Sequence, residues 1–452
     1  MRILLLNLPW EKNGYFGVRA GSRWPFISRP ESDGKIHYIP FPFFLAYAAA
    51  LLKREGKDAK LIDAIAEGMD EQKTADAMTS FSPALLVVET STPSFNNDIK
   101  TVLDFHTKMP SCRVVLCGPH ASVYAVDILQ EHPFVEFILI GEYEFTLLHL
   151  INALETGQAL AGVTGLVYRQ GGVVKHNQPG PLLEDLDSLP WPERETVPLY
   201  HYNDGFAGLP QPNVQVWSSR GCIFPCTFCL WPQAMYGGAH YRMRKVNQVI
   251  DEVVYLINCF QFKALYFDDD VFNIDRGHVT GICHQMRSKN IRIPWAAMAR
   301  ADLMDEELLD TLAAAGLYAV KYGVESASSA VLYRCRKQLD LQKSAKMIAY
   351  TKKCAIKVHL TFCIGLPGET KKSIEETRRF IDAVRPDSLQ ISFATPFPGT
   401  EYFEYVRSNG YLLSGDWSDY DGNRRCVVRT EQMGMQDLEG AYRDLCHHFD
   451  LG

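Results

Sequence analysis

Short, nearly continuous runs of Val, Ile and Leu alternate with helical stretches through the first third of the chain. The runs are "RILLLNLP", "DAKLIDA", "ALLVVET", "SCRVVLC" and "VEFILIG", and one helical stretch covers residues 43–55 and ends at Gly56. Strands this apolar are buried on both faces, which is typical of a parallel sheet covered by helices. The pattern therefore predicts an α/β fold, with a doubly wound parallel sheet and a following linker over residues 1–190.

A second strand–helix series begins at "VQVWSSRGC" and predicts a partial (β/α)6 barrel over residues 205–400. Its further strands are "ALYFDDD", "PWAAMA", "AVKYGVES", "HLTFCIG" and "SLQISFA". The Pro-rich, acidic stretch "NQPGPLLEDLDSLPWPERETVP" lacks periodicity and is interpreted as a linker, with the domain boundary near residues 190–205. Residues 401–452 are predicted to cover the barrel. There Trp417 and Tyr420 either contact a sugar or pack the closing segment.

Charge and hydropathy exclude several classes of protein. The formal net charge of −7 argues against a broad nucleic-acid interface, which needs a basic face. No apolar run reaches the roughly 18 residues of a membrane span, and the N-terminus is interpreted as a strand and not as a signal peptide. We therefore expect a cytoplasmic protein whose twelve cysteines are reduced thiols.

Three of these cysteines lie close together in the stretch "SSRGCIFPCTFCLWPQ", as Cys222, Cys226 and Cys229. Thiolates bind soft metals, and zinc sites usually combine one Cys pair with a second, distant pair that is missing here. Three thiolates on a cluster of four irons leave one iron open to bind a small molecule. A three-cysteine zinc site and a buried apolar loop with incidental cysteines are the alternatives.

Further polar groups follow the predicted barrel strands, at Asp268–Asp270, Glu325–Ser326 and Gly365–Thr370. The chemistry of such barrels gathers at the C-terminal ends of the strands, so these groups predict one shared active site. Because strand side chains alternate, the three acids cannot all face the cavity. We expect one or two of them in the cavity, where they bind substrate or act as acid and base, the alternative being a solvated turn.

The spacing C-x3-C-x2-C resembles the signature of the radical S-adenosylmethionine (SAM) enzymes. The segments "YFDDDVF", "ARADLMDEELLDTLAAAGLYAVKYGVES", "FCIGLPGET" and "FPGT" are similar to the subgroup with an N-terminal cobalamin-binding domain. The resemblance implies a 4Fe–4S cluster on Cys222, Cys226 and Cys229. It also implies that SAM binds the open iron and is reductively cleaved to a 5′-deoxyadenosyl radical, which takes a hydrogen atom from substrate. Of the three acids, it implies that Asp269 and Asp270 face the cavity.

The same resemblance implies which residues contact SAM. Glu325 is expected to accept hydrogen bonds from the ribose hydroxyls or the amine, while Arg300 either pairs with the SAM carboxylate or forms a structural ion pair. The turn that begins at Gly365 lets backbone approach a ligand closely and leads into a helix N-terminus. The full set of expected SAM contacts is Phe228, Arg300, Glu325, Ser326, Gly365 and Pro367.

In the N-terminal domain, the resemblance makes Gly118 and His120 the expected cobalamin contacts. Three features depart from the subgroup. The D-x-H-x-x-G motif is missing, Cys117 replaces a glycine in the G-G-P-H turn, and Tyr143 replaces one in the G-E-G-E loop. Glycines let backbone lie against a flat cofactor, and Cys and Tyr are expected to crowd that space. The domain therefore either binds cobalamin or is a scaffold without it.

The stretches "CLWPQ" and "GGAHYRMR" resemble a branch containing the hopanoid-associated radical SAM enzyme and the radical SAM diol dehydratase of aminoglycoside antibiotic biosynthesis. This implies hydrogen abstraction from a carbinol carbon of an amino-sugar, followed by dehydration. The implied partners are a sugar-like substrate, an external one-electron reductase and a separate NAD(P)H-dependent reductase for the product. The alternatives are a cobalamin-dependent radical SAM C-methyltransferase and an idle iron–sulfur or zinc scaffold.

Overall fold

The computed structural model describes residues 1–17, 27–30, 36, 38–204 and 206–451. The chain forms two compact units. The first unit comprises Met1–Glu184, Ser188–Tyr202 and Leu230–Gly238, and the second comprises Asp185–Asp187, Asn203–Cys229 and Ala239–Gly452.

The strands of the first unit are β1 (Arg2–Asn7), β2 (Glu11–Lys12), β3 (Tyr15–Gly17), β4 (Ile27–Ser28), β5 (Asp58–Asp63), β6 (Leu85–Glu89), β7 (Arg113–Cys117), β8 (Phe137–Leu139), β9 (Leu166–Gln170) and β10 (Val173–His176). Those of the second are β11 (Asn213–Val216), β12 (Ser219–Gly221), β13 (Tyr241–Met243), β14 (Ala264–Phe267), β15 (Trp295–Ala299), β16 (Leu317–Glu325), β17 (Lys357–Ile364) and β18 (Ser388–Phe393).

The first unit is built on a seven-stranded sheet in the order β10-β9-β8-β7-β6-β1-β5. Strands β5, β1, β6, β7 and β8 are parallel, whereas β9 and β10 form an antiparallel hairpin at one edge. The hairpin turns at Gly171 and Gly172, as predicted, and both have positive φ angles that favour glycine. Residues Ile3–Leu6 of β1 are completely buried, which confirms the doubly wound parallel sheet.

The second unit is built on six parallel strands in the order β11-β14-β15-β16-β17-β18, which confirms the partial barrel. Within it, the alanines at 296 and 319 leave room for the large ring of Tyr266, which packs edge-on against Phe206 at 5.2 Å between ring centroids. Strands β12 and β13 form a separate antiparallel pair.

The helices are α1 (Phe43–Arg54), α2 (Glu71–Phe81), α3 (Phe95–Lys108), α4 (Pro119–Val123), α5 (Ala125–Glu131), α6 (Glu144–Thr156), α7 (Leu230–Ala234), α8 (Val246–Phe260), α9 (Arg276–Ser288), α10 (Glu306–Ala314), α11 (Ser329–Arg334), α12 (Leu341–Lys353), α13 (Lys371–Val384), α14 (Glu401–Ser408) and α15 (Met435–His448). In the second unit, the side chains of Asp275, Asp305, Asp340 and Thr370 cap α9, α10, α12 and α13, which fixes where these helices begin. No helix in the described part of the chain is long and apolar enough to cross a membrane.

One segment lies in a different unit from the one expected. The sequence predicts that residues 205–400 belong entirely to the barrel, yet Leu230–Gly238 groups with the first unit. There the Trp231 ring stacks on Phe44, with centroids 5.1 Å apart and planes 3° apart. A Cβ on Gly141 would stand 2.9 Å from the Met235 carbonyl oxygen, so glycine is required at that contact. The packing of aromatic rings, and not nearness in sequence to the barrel strands, therefore determines the unit to which this segment belongs.

The C-terminal segment packs within the second unit. Tyr420 is completely buried and donates a hydrogen bond to the Ser414 carbonyl at 2.9 Å. Its ring lies edge-on to Trp417, which in turn contacts Phe403. The two aromatic residues therefore have the packing role that the sequence left as an alternative to sugar binding.

Candidate active site

The three clustered cysteines lie in the loop that follows β12. Each side chain is partly buried, and the Cys229 amide donates to the Cys226 carbonyl at 3.3 Å. Burial raises the pKa of the Cys222 thiol to about 11 and raises the pKa of Cys226 and Cys229 as well. The thiols are therefore protonated at neutral pH in the apo-protein, and insertion of a metal cluster must release their protons.

The start of this loop is held by one glycine and two of the predicted catalytic acids. Gly221 has φ = +90°, and a Cβ there would stand only 2.0 Å from the His240 carbonyl oxygen. Asp270 accepts the Gly221 amide at 2.8 Å. Asp269 is completely buried and accepts hydrogen bonds from the amide and hydroxyl of Ser218 at 3.1 and 2.9 Å. These contacts make both acids supports of the cysteine loop, and their contact with substrate stays a prediction.

The arrangement of the cysteines bears on the kind of metal they bind. Among the described residues, no three His, Cys, Asp or Glu side chains are placed to hold one metal ion. A zinc site requires its ligands to surround a single centre, whereas each cysteine of an iron–sulfur cluster binds a different iron. The three thiols nevertheless interact electrostatically with one another.

Glu325 ends β16 beside this loop and has φ = +70°, an unusual angle for a residue with a side chain. Its carboxylate lies 3.0 Å from the Lys337 ammonium and accepts a hydrogen bond from the Cys363 thiol at 3.4 Å. A Cβ on Gly323 would stand 2.6 Å from this carboxylate, so a larger residue there would displace the end of the Glu325 side chain. The hydroxyl of the next residue, Ser326, accepts from the Ser328 amide at 3.2 Å.

Arg300 forms the structural ion pair that the sequence left as an alternative. Its guanidinium donates to both carboxylate oxygens of Asp302 at 3.0 and 2.8 Å. It also donates to the carbonyls of Lys337 and Gln338 at 3.0 and 2.8 Å, and it lies 3.6 Å from the centre of the Phe224 ring. These hydrogen bonds use four of the five guanidinium N–H groups, so bidentate pairing of Arg300 with the SAM carboxylate would require one of them to break. Phe228, in the same loop as Phe224, is partly buried.

The turn from Gly365 through Pro367 ends in a buried acid that the sequence reasoning missed. The Gly365 amide donates to Glu369 at 3.1 Å, and the Ser373 hydroxyl donates to the other oxygen of Glu369 at 2.7 Å. The Gly365 carbonyl accepts from the Tyr402 hydroxyl at 2.6 Å. Burial raises the pKa of Glu369 to about 7. Its position directly before the helix cap Thr370 was the available signal.

We expect Glu369 to make stability depend on pH. Its pKa in the folded protein lies above the unfolded value, so its contribution to stability is complete below pH 4.5 and is lost as pH rises through about 7. The Glu369→Gln variant stays neutral, so wild type should lose up to about 3 kcal/mol relative to it between pH 4.5 and 8. Thermal denaturation across this range measures the difference. Parallel pH profiles for wild type, Glu369→Gln and the control Glu376→Gln would contradict the expectation.

The strand ends of the first unit carry a row of small and hydroxyl-bearing residues. The Thr90 hydroxyl, just after β6, is fully buried and has no hydrogen-bond partner among the described residues. Gly118 follows β7 with φ = +93°, and a Cβ there would stand 2.6 Å from the Thr90 carbonyl oxygen. His120 lies 3.1 Å from the Thr92 hydroxyl, and burial lowers its pKa to about 3, so its ring is neutral.

The two residues expected to crowd a cofactor in this unit are packed into it. Cys117 and Tyr143 are both completely buried. The Cys117 thiol donates a hydrogen bond to the Val88 carbonyl, and the Tyr143 hydroxyl donates one to the Glu89 carboxylate at 2.8 Å. Both partners belong to the neighbouring strand β6. The structure therefore does not support the argument that these side chains exclude cobalamin, and the unpartnered Thr90 hydroxyl fits a site for a polar ligand.

A parallel α/β unit, a partial barrel of six parallel strands and three cysteines in one loop define an iron–sulfur enzyme of the SAM-cleaving class. Residues 218–381 match the model of the radical SAM superfamily. The chain is 31% identical, over 84% of its own length and 81% of the other, to an uncharacterized methyltransferase of Pyrococcus horikoshii. The chain belongs to the radical SAM superfamily, whose cofactors are a 4Fe–4S cluster and SAM.

Two further comparisons cover both units. The chain is 26% identical to the cytidylyl-2-hydroxyethylphosphonate methyltransferase of Streptomyces wedmorensis, over 83% of its length and 80% of the relative. The methyltransferase TsrM of Kitasatospora setae, solved with cobalamin and a 4Fe–4S cluster, matches with a TM-score of 0.73 at 18% identity, over 99% of this chain and 89% of that one. The fold is thus that of the radical SAM enzymes with an N-terminal cobalamin-binding domain.

These relatives contradict the hypothesis of amino-sugar dehydration, because they are methyltransferases. The structure shows why the sequence misled. The stretch "CLWPQ" falls mainly in Leu230–Gly238, which packs its aromatic side chains in the first unit and so does not report on a substrate. Asp269 and Asp270 hold the start of the cysteine loop, and their contact with substrate stays a prediction.

Proposed function

We propose that the chain is a cobalamin-dependent radical SAM methyltransferase acting on a carbon atom of a small molecule. The observation that carries the proposal is the extent of the similarity. The match to a methyltransferase at 31% identity runs through both units and not only through the barrel. The separate NAD(P)H-dependent reductase was implied by dehydration and is not part of this proposal, whereas an external one-electron reductase remains part of it.

In the second unit, Cys222, Cys226 and Cys229 hold the cluster, and the buried carboxylate of Glu325 is the acceptor for polar groups of SAM. In the first unit, the backbone at Gly118 and the free hydroxyl of Thr90 hold cobalamin at the strand ends. When bound, the cluster supplies the electron that cleaves SAM, and cobalamin carries the methyl group. The ring of His120 contacts the Thr92 hydroxyl and is neutral. It therefore adds no positive charge at the strand ends of the first unit.

We expect the purified protein to bind about one corrin per chain. The Thr90→Val variant keeps the shape of the side chain and removes only the unpartnered hydroxyl, so the fold should be unchanged and corrin affinity should fall about fivefold to tenfold. The Thr92→Val variant is the contrast, because it also removes the contact to His120 and should lower thermal stability. Equilibrium binding of hydroxocobalamin, followed by corrin absorbance, measures the corrin affinity of both variants. Thermal denaturation measures their stability.

Methyl transfer itself is tested with SAM that carries a deuterated methyl group. Anaerobically reconstituted protein with cobalamin and a reductant should label the bound corrin and release S-adenosylhomocysteine, as detected by mass spectrometry. Release of 5′-deoxyadenosine with no corrin binding would retain the radical SAM assignment and overturn the cobalamin-dependent methyltransferase.

A further inference from the structure

Lys337 is a buried cation beside the cysteine loop that no sequence pattern indicated. It is 8% exposed, and its ammonium lies 3.0 Å from the Glu325 carboxylate, whose side chain is also largely buried. A charged lysine is rarely buried unless a partner compensates the cost of desolvation. Glu325 is that partner, and it raises the pKa of Lys337, so the lysine stays charged despite burial.

The backbone on both sides of Lys337 has a strained conformation. Arg336 and Gln338, on either side of it, have φ angles of +53° and +50°, which side-chain-bearing residues rarely adopt. Arg300 offsets this strain by donating to the carbonyls of Lys337 and Gln338, while Asp302 orients its guanidinium. Such a strained segment persists only where the surrounding structure over-determines it.

The segment that carries Lys337 packs against the cysteine loop. The Thr227 amide, between Cys226 and Cys229, donates to the Cys335 carbonyl at 3.0 Å. Arg300, which donates to the Lys337 carbonyl at 3.0 Å, lies 3.6 Å from the centre of the Phe224 ring in the same loop. A fixed positive charge beside this loop favours any additional negative charge placed on a cluster held there.

We propose that Lys337 is a positioning residue that holds the Glu325 carboxylate and sets the reduction potential of the cluster. Cluster potentials depend on the net charge and burial of the surroundings. Reduction adds one negative charge to the cluster, so a fixed cation nearby stabilises the reduced form. The inference rests on the cluster site alone and not on methyl transfer, so its test separates the two.

The experiment is a redox titration of the reconstituted holoprotein without SAM, monitored by the electron paramagnetic resonance of the reduced cluster. In Lys337→Gln, the ratio of reduced to oxidised cluster at a fixed potential should fall about tenfold, which corresponds to about 59 mV for a one-electron couple. The control Lys346→Gln removes an equal charge from an exposed position on α12 and should leave the ratio unchanged. Lys337→Arg keeps the charge and should restore the ratio.

A second pair of variants keeps the test informative if the unpaired Glu325 carboxylate destabilises the Lys337→Gln protein. Glu325→Gln removes the negative member of the pair, so the ratio should rise. The double variant Glu325→Gln with Lys337→Gln leaves no unpaired buried charge and should return close to wild type. A Lys337→Gln ratio equal to that of Lys346→Gln, or a double variant that behaves like Lys337→Gln alone, would overturn the proposal.

Discussion

The Cys226→Ala variant is expected to lose the iron–sulfur cluster and, with it, all reductive cleavage of SAM. Each of the three cysteines is expected to bind a different iron. The two thiolates that remain in the variant therefore cannot hold a cluster that needs three protein ligands. Iron should fall from about four atoms per chain to below one. Formation of 5′-deoxyadenosine should drop to background. Iron analysis and chromatography of the anaerobically reconstituted protein measure both quantities.

The matched control is Cys335→Ala, because Cys335 is a completely buried cysteine of the same unit. Its backbone carbonyl accepts the Thr227 amide within the cysteine loop, and alanine preserves that contact. This variant should keep its iron and its SAM cleavage. Full iron content in Cys226→Ala, together with loss of iron in Cys335→Ala, would show that the ligands are assigned wrongly.

The second large effect is expected from a single methyl group at Gly221. The alanine variant combines an unfavourable backbone conformation with a Cβ 2.0 Å from the rigid carbonyl of His240. The β12–β13 pair must therefore open, and the hydrogen bond from the Gly221 amide to Asp270 is lost as well. We expect the free energy of unfolding to fall by at least about 3 kcal/mol, and cluster occupancy to fall with it.

Gly410→Ala separates backbone strain from collision. Gly410 also has a positive φ angle, +65°, but no atom lies within 4 Å of an added Cβ. Its alanine variant should lose only about 1 kcal/mol. Chemical denaturation of both variants, with iron analysis, provides the comparison. Equal losses would show that the β12–β13 pair adjusts without cost and that Gly221 does not fix the loop.

The sequence was sufficient for the fold, and it indicated the candidate cluster ligands, because both leave local patterns. The strands β1, β6 and β7 are continuous apolar runs, and the three cysteines have a distinctive spacing. The unit to which Leu230–Gly238 belongs was not predictable, because it depends on packing between Trp231 and Phe44, which are far apart in the chain.

The supporting residues around the cysteines were missed for the same physical reason. Glu325 and Lys337 are separated by α11, and the strained residues beside Lys337, Arg336 and Gln338, are not glycine, so no turn signal marks them. The support that Asp269 gives to the cysteine loop was missed, because its partner Ser218 lies on a segment about fifty residues earlier. Side-chain hydrogen bonds over such separations leave no periodicity in a single sequence.

The burial of the cysteine thiols has a consequence for the life of the protein before its cluster is inserted. Alkylation, disulfide formation and the first step of oxidation all proceed through the thiolate, whose population falls as the pKa rises. With the Cys222 pKa near 11 and the Cys229 pKa higher than normal, very little thiolate exists at neutral pH. The newly folded chain therefore presents little thiolate to oxidants and alkylating agents before iron and sulfide bind.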